Sequence, residues 1–289
     1  MNPRIEIAIE IEAAPSKVFD ALTRVADLER WFAERAFVSI AEKRFDFWGR
    51  HTPGNPDQSA GHHPLSAFAP GERIVFGWAL RGKETTVEIA VAPSSRGTRV
   101  TLTHDAPPRG ATEISLNDYW LLSLENLRRH LEQGAPPVLC DYSTSPRGGA
   151  SLAIEIAAPP EAVFRALTEP ADLDRWMTAK SSVEPVTGGR MSFGWKNEGP
   201  VRILSIVPNE KLSYSWEHAN DPETVVTWTL DRPNGKSTTR LTLVHSGFGE
   251  RDTEDFRTGW LKHVVWMKAL LERGEAWIPP ENLARGYDA

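Results

Sequence analysis

The chain of 289 residues has one cysteine, Cys140. A single thiol excludes an internal disulfide and any zinc site built on cysteines. Cys140 lies between Leu139 and Asp141 in a loop-like stretch with no base nearby in sequence, so it reads as an inert linker thiol rather than a nucleophile. Long apolar runs are also missing: no segment reaches the ~20 apolar residues of a membrane-spanning helix, and Met1-Asn2-Pro3-Arg4-Ile5-Glu6 has no signal-peptide core. The expectation is a soluble cytoplasmic protein without membrane insertion. Basic blocks are absent too. The 33 Lys and Arg face 39 Asp and Glu, a net charge of −6, and no cluster is suited to a phosphate backbone, which argues against nucleic acid. No Ser-His-Asp order, phosphate-cradling glycine loop or metal-ligand spacing occurs, so neither metal nor cofactor is expected. Tryptophan, in contrast, is plentiful, with 11 in the chain. This large amphipathic side chain commonly lines pockets and interfaces.

The chain also repeats itself. Fifteen of the 23 positions from 9 to 31 are identical to those from 154 to 176 without a gap, which chance does not produce. Further on, Glu72-Arg73-Ile74 and Trp78 match Glu210-Lys211-Leu212 and Trp216. Thr98 to Leu102 and His104 match Thr239 to Leu243 and His245. Trp120-Leu121, Leu131-Glu132 and Gly134 match Trp260-Leu261, Leu271-Glu272 and Gly274. The unit is domain-sized, so this is a duplicated fold and not a solenoid. The expected layout is a first domain over residues 1–134 and a Pro/Gly-rich linker over 135–149. A second domain over 150–274 and a tail over 275–289 complete it. The two domains are expected to pack on each other.

The second copy shows the pattern of elements best. Leu152 to Ile156 alternates as a strand, and Pro160 with Glu161 suits a helix start. A second short helix runs from Pro170 to Met177. Gly188-Gly189 is a hairpin turn into Arg190 to Trp195. Strands follow over 201–207, 211–217, 224–230 and 239–245, with turns at Pro208-Asn209-Glu210 and Pro233-Asn234-Gly235. Thr253 to Glu272 has helical spacing and stops at Gly274. A curved antiparallel sheet can wrap around that last helix, giving an α+β fold in which a cavity between sheet and helix is expected.

Ala13-Ala14-Pro15-Ser16-Lys17-Val18-Phe19-Asp20-Ala21-Leu22-Thr23 followed by Leu28-Glu29-Arg30-Trp31 resembles the opening of START-like (SRPBCC) domains. Together with Pro208 to Trp216 and Gly259-Trp260, it is similar to the branch named after activators of the Hsp90 ATPase. The resemblance spans both copies and implies a helix-grip fold with an apolar pocket between the C-terminal helix and the sheet. Such relatives bind lipids, polyketides, plant hormones or other bulky apolar molecules; some are polyketide cyclases, and a few confer self-resistance to enediynes. The eukaryotic Hsp90 activator pairs this domain with a different N-terminal domain, whereas here the N-terminal half is another copy.

The candidate wall of the second pocket comprises Met191, Phe193, Trp195, Tyr214, Trp216, Trp228, Trp260, Trp266 and Met267. For any one of them core packing is explanation enough; as a set they overfill a small core unless some line a cavity or an interface. Phe45, Phe47, Trp78, His104 and Trp120 are the first-copy candidates. Trp31 and Trp176 read as structural first and as pocket mouth second. His104 and His245 are equivalent, and each can orient a ligand or simply be a satisfied core histidine. His263, on the apolar stripe of the last helix where the first copy has Ser123, offers a polar contact of the kind small-molecule sites use. His51, His62 and His63 fall in a loop peculiar to the first copy, Arg50 to Pro64, expected to be mobile and able to cover the pocket. Asp27 with Arg30 and Asp172 with Arg175 have the spacing of surface ion pairs.

The expected function is to bind or sequester a bulky hydrophobic or aromatic small molecule, with the second copy as the working pocket. Its specific form is self-resistance to a polyketide antibiotic such as an enediyne. The alternatives are a cyclase or hydrolase using His245 or His263 as general acid/base, and an Hsp90 co-chaperone-like interaction protein.

Overall fold

The computed structural model describes residues 4–107, 111–144, 146–177, 179–195, 199, 201–217, 223–233 and 237–283. The chain divides into two compact units. The first takes in residues up to Thr144 together with the segment from Pro280, and the second runs from Ser145 to Pro279.

Domain 1 contains β1 (Arg4–Ile11), α1 (Pro15–Thr23), α2 (Val25–Trp31), β2 (Arg35–Ser39), β3 (Arg44–Trp48), β4 (Leu65–Ala69), β5 (Arg73–Leu80), β6 (Lys83–Ser94), β7 (Gly97–Asp105) and α3 (Ala111–Gln133). Domain 2 repeats the order with β8 (Gly149–Ile156), α4 (Pro160–Thr168), α5 (Pro170–Met177), β9 (Ser182–Val183), β10 (Arg190–Ser192), β11 (Val201–Val207), β12 (Lys211–Trp216), β13 (Thr224–Asp231), β14 (Thr239–Ser246) and α6 (Glu254–Arg273). The tail ends in β15 (Glu281–Asn282), which pairs antiparallel with β1. The strand order is β15-β1-β7-β6-β5-β4 in domain 1, with β2-β3 as a separate hairpin, and β8-β14-β13-β12-β11-β10-β9 in domain 2. All pairings are antiparallel. In β1 the period-two alternation buries Ile5, Ile7, Ile9 and Ile11 and turns Arg4 outward, the pattern of a sheet with one face on a core. Among the described residues no helix is long and apolar enough to cross a membrane.

The residues shared by the copies hold the same polar joints. Trp31 donates its indole N–H to the Ala21 carbonyl at 2.9 Å, and Trp176 to Ala166 at 2.8 Å, tying the two short helices together. The Thr98 hydroxyl donates to the Ala13 carbonyl at 2.6 Å, and Thr239 to Ala158 at 2.7 Å, tying the sheet to the turn before the first helix. Pro15 and Pro160 each occupy the first turn of their helix, where no N–H is needed.

Two sequence expectations need correction. The Arg50–Pro64 loop is not a mobile cover: Thr52, Asn55 and His63 within it are buried. Gly61 shows how closely it is seated, since a Cβ there would stand 2.6 Å from Trp48 Cβ and 2.7 Å from the Phe47 carbonyl oxygen. Asp172 pairs with Arg165 at 2.6 Å, not with Arg175, which reaches Glu275 at 3.0 Å. Arg165 extends from α4 to the start of α5 and so intercepts that carboxylate.

Candidate functional site

Each domain places a tryptophan of its last helix opposite a histidine of the strand that precedes that helix. In domain 2, the Trp260 indole N–H donates to His245 Nδ1 at 2.9 Å. His245 Nε2 therefore carries the proton and donates to Thr224 Oγ1 at 2.8 Å, and the Thr224 hydroxyl donates to the Trp216 carbonyl at 2.9 Å. Domain 1 repeats the chain through Trp120, His104, Thr85 and the Trp78 carbonyl at 3.0, 2.7 and 2.6 Å. The pairing of β13 with β12 puts Thr224 across from Trp216, which makes this relay a consequence of strand register. Burial without a nearby charge pushes the pKa of His104 down to about 4 and that of His245 to about 3. Both rings are neutral and use both nitrogens internally, so neither has a lone pair or N–H left for a ligand.

Around this relay, domain 2 collects aromatic rings. His263, one turn beyond Trp260 on α6, stands 6.3 Å from Trp176, 5.9 Å from Trp195, 6.3 Å from Trp260 and 6.2 Å from Trp266 between ring centroids. Trp216 lies 5.3 Å from Trp260 and 5.7 Å from Trp195. Phe193 stacks on Trp195 at 5.1 Å and packs 5.7 Å from Tyr214. Trp228 lies 5.6 Å from Trp260 and donates its indole N–H to Tyr214 Oη at 3.1 Å. Met191 and Met267 are buried in the same domain. Trp266 also faces Trp277 of the tail, at 6.1 Å.

Lys262, which sequence reasoning passed over, is only 7% exposed. Its Nζ lies 2.9 Å from His263 Nε2 and 4.9 Å from the centre of the Trp266 ring. An ammonium can only donate, so His263 Nε2 accepts and the ring is neutral. Desolvation, then the Lys262 charge, hold the His263 pKa well below its usual value, against a backbone hydrogen bond to Gly259. Its Nε2 is thus engaged.

Domain 1 treats the corresponding space differently. Its loop sends His63 onto Phe47, stacked at 3.9 Å and 5°. The Asn55 amide is oriented by its surroundings so that its oxygen accepts from Trp78 Nε1 at 3.1 Å and from His63 Nε2 at 2.9 Å. Asp46 pins the loop, accepting from the His63 backbone N–H at 2.9 Å and from Arg44 Nε at 2.8 Å. His62 Nδ1 sits 3.2 Å from Asp46, and His51 Nδ1 is 2.9 Å from the Cys140 carbonyl oxygen, so the three loop histidines turn to three different partners and do not converge. Phe45, Phe47, Phe76, Trp78 and Trp120 pack ring against ring. The void lined by Leu22, Leu28, Trp31, Phe32, Phe45, Phe76, Ile89, Leu102, Trp120, Ser123 and Leu124 measures about 10 Å³, at the limit of one water molecule.

The contrast shows in exposure. Trp78 and Ser123 are buried, whereas their counterparts Trp216 and His263 are half-buried, as is Trp195; Trp260 is buried like its counterpart Trp120. Among the described residues Trp216 Nε1 is shielded and has no hydrogen-bond partner, although its counterpart in Trp78 has Asn55. Burying an indole ring stabilises by about 4–6 kcal/mol, and an unpaired buried N–H costs about 1–3 kcal/mol. The ring stays in place, and its polar atom stays unsatisfied. A solvent-open groove of about 540 Å³, lined by Asp174, Arg175, Ala179, Lys180, Trp277 and Pro279, meets the ring cluster around His263 through Trp277, which faces Trp266.

A family model described as activator of Hsp90 ATPase homolog 1-like protein matches residues 12–132 and again 157–272. The chain belongs to this family. Its duplication and helix-grip folds follow the resemblance seen in the opening motifs. Protein MLL2253 from Mesorhizobium loti is 30% identical over 43% of this chain and 98% of its own, with a TM-score of 0.37. The Aha1 protein from Colwellia psychrerythraea, solved as a dimer, is 26% identical over 44% of this chain and 98% of its own, TM-score 0.39. DynU16, from the dynemicin biosynthetic locus, is 17% identical over 94% of this chain and its entire length, TM-score 0.41. No curated protein matches the chain.

Proposed function

We propose that the chain binds a bulky aromatic small molecule in domain 2, between α6 and the sheet, and that domain 1 is a closed relative of the same fold. The observation that carries this reading is the paired one: Trp216 and His263 are half-buried where their domain 1 counterparts, Trp78 and Ser123, are buried, and Trp195 beside them is half-buried as well. Aromatic walls with a few polar atoms suit a flat apolar ligand. Binding rather than turnover is favoured because, of the two histidines a general acid/base would need, His245 has both nitrogens engaged and His263 has its Nε2 held by Lys262. Sequestration of a polyketide antibiotic in self-resistance is the narrower form of this proposal.

The test is titration of a polyaromatic library against intrinsic tryptophan fluorescence. The reading expects saturable quenching that Trp195→Ala weakens. Absence of any response across the library sinks it. For the narrower form, expression in a sensitive host should raise tolerance to a polyaromatic polyketide, and unchanged tolerance rejects it.

A further inference from the structure

The two domains differ most sharply at one polar atom. In domain 1 the indole N–H of Trp78 is taken by the side-chain oxygen of Asn55 at 3.1 Å, and the His63 ring lies flat on Phe47. In domain 2 the segment that follows β10 is shorter, and its Trp195 stacks on Phe193, the counterpart of Phe47, at 5.1 Å. Leu65 pairs with Phe76 in domain 1 and Ile203 with Tyr214 in domain 2, each followed by the same register shift, so Val201 stands where domain 1 has His63. Among the described residues Trp216 Nε1 is buried without a hydrogen-bond partner, and its ring lies 63° from the His245 plane, against 10° for Trp78 and His104. Phe193, Trp195 and Tyr214 pack around it, with ring centroids 5.5, 5.7 and 6.4 Å from that of Trp216.

We propose that the ligand of domain 2 is a flat aromatic molecule bearing a carbonyl-class acceptor, which takes the Trp216 indole N–H as Asn55 takes that of Trp78. The inference rests on the reading of domain 2 as a binding site. Within it, Asn55 of domain 1 serves as an internal template: its amide oxygen takes the Trp78 N–H as the carbonyl of an aryl compound takes that of Trp216 in domain 2. Such a compound satisfies a buried donor, whereas a hydrocarbon of the same shape leaves it unpaired.

The experiment is calorimetric titration of the full chain with 2-acetylnaphthalene and with 2-ethylnaphthalene, which match in size and differ in the carbonyl. The ketone should bind more tightly, and Trp216→Phe should weaken the ketone by about three- to tenfold while leaving the hydrocarbon unchanged. In the unaltered protein, the Trp216 indole N–H resonance should move downfield with the ketone only, a readout that does not depend on the variant folding. Equal affinity for both compounds, equal loss of both in Trp216→Phe, or no selective shift of that resonance overturns the inference and leaves the binding site standing. Binding of neither compound overturns the inference together with the reading beneath it.

Discussion

Trp260 donates its indole N–H to Nδ1 of His245 across 2.9 Å, and Trp120 makes the same bond to His104 across 3.0 Å. The pair fixes the tautomer of each histidine and bolts the last helix to the sheet. A duplicated histidine that suggests chemistry in the sequence is a joint of the fold. Thr224→Val leaves the His245 Nε2–H without an acceptor and should destabilise domain 2 by about 1–3 kcal/mol, with Thr224→Ser recovering most of the loss. Urea unfolding checks this; a Val variant as stable as the parent would show that the bond carries no weight.

Acid should unfold both domains through their neutral histidines. In the unfolded chain each takes a proton near the ordinary histidine pKa of about 6.5. In the folded chain His63 and His104 resist protonation down to about pH 4 and His245 to about pH 3. The unfolded state therefore binds more protons in that window. Stability is held in full above about pH 6.5 and is lost as pH falls below it, by about 1.4 kcal/mol per pH unit for each histidine, until the folded pKa is reached. Urea midpoints should be flat from about pH 7 to 8 and fall clearly by about pH 5. Equal midpoints at pH 7 and 5 would contradict the assignment.

The loop that closes domain 1 should be removable without harm to domain 2. Asn55→Ala strips the acceptor from Trp78 and from His63 and should cost about 2–4 kcal/mol. Gly61→Ala should act in the same direction, because its methyl group meets the β3 backbone and Trp48. Both losses should be confined to the domain 1 unfolding transition. Loss of the domain 2 transition in either variant would argue against separate cores.

Much of the architecture was legible from residues alone. The strand at 201–207 and the helix at 170–177 have the same limits in sequence and structure, because alternation, proline and turn residues set them locally. The relay was half legible: the histidines and tryptophans recur at matching positions, but Thr85 and Thr224 join them only through cross-strand register. The Arg50–Pro64 loop was misread because Pro, Gly, Asn and Ser composition is that of a mobile segment. What seats it is the buried Asp46, whose role depends on contacts with Arg44 and His63 that spacing does not reveal. Lys262 was missed for a similar reason, since one lysine on an amphipathic helix looks solvated until its neighbours are known.

The central claim, that domain 2 is open to an aromatic ligand and domain 1 is closed, is tested most directly by the assigned indole N–H resonances during a titration with 2-acetylnaphthalene. The account predicts saturable shifts at Trp195, Trp216 and Trp260 with Trp78 and Trp120 unmoved. Parallel shifts at Trp78 and Trp120, or no shift at any of the five, would contradict it.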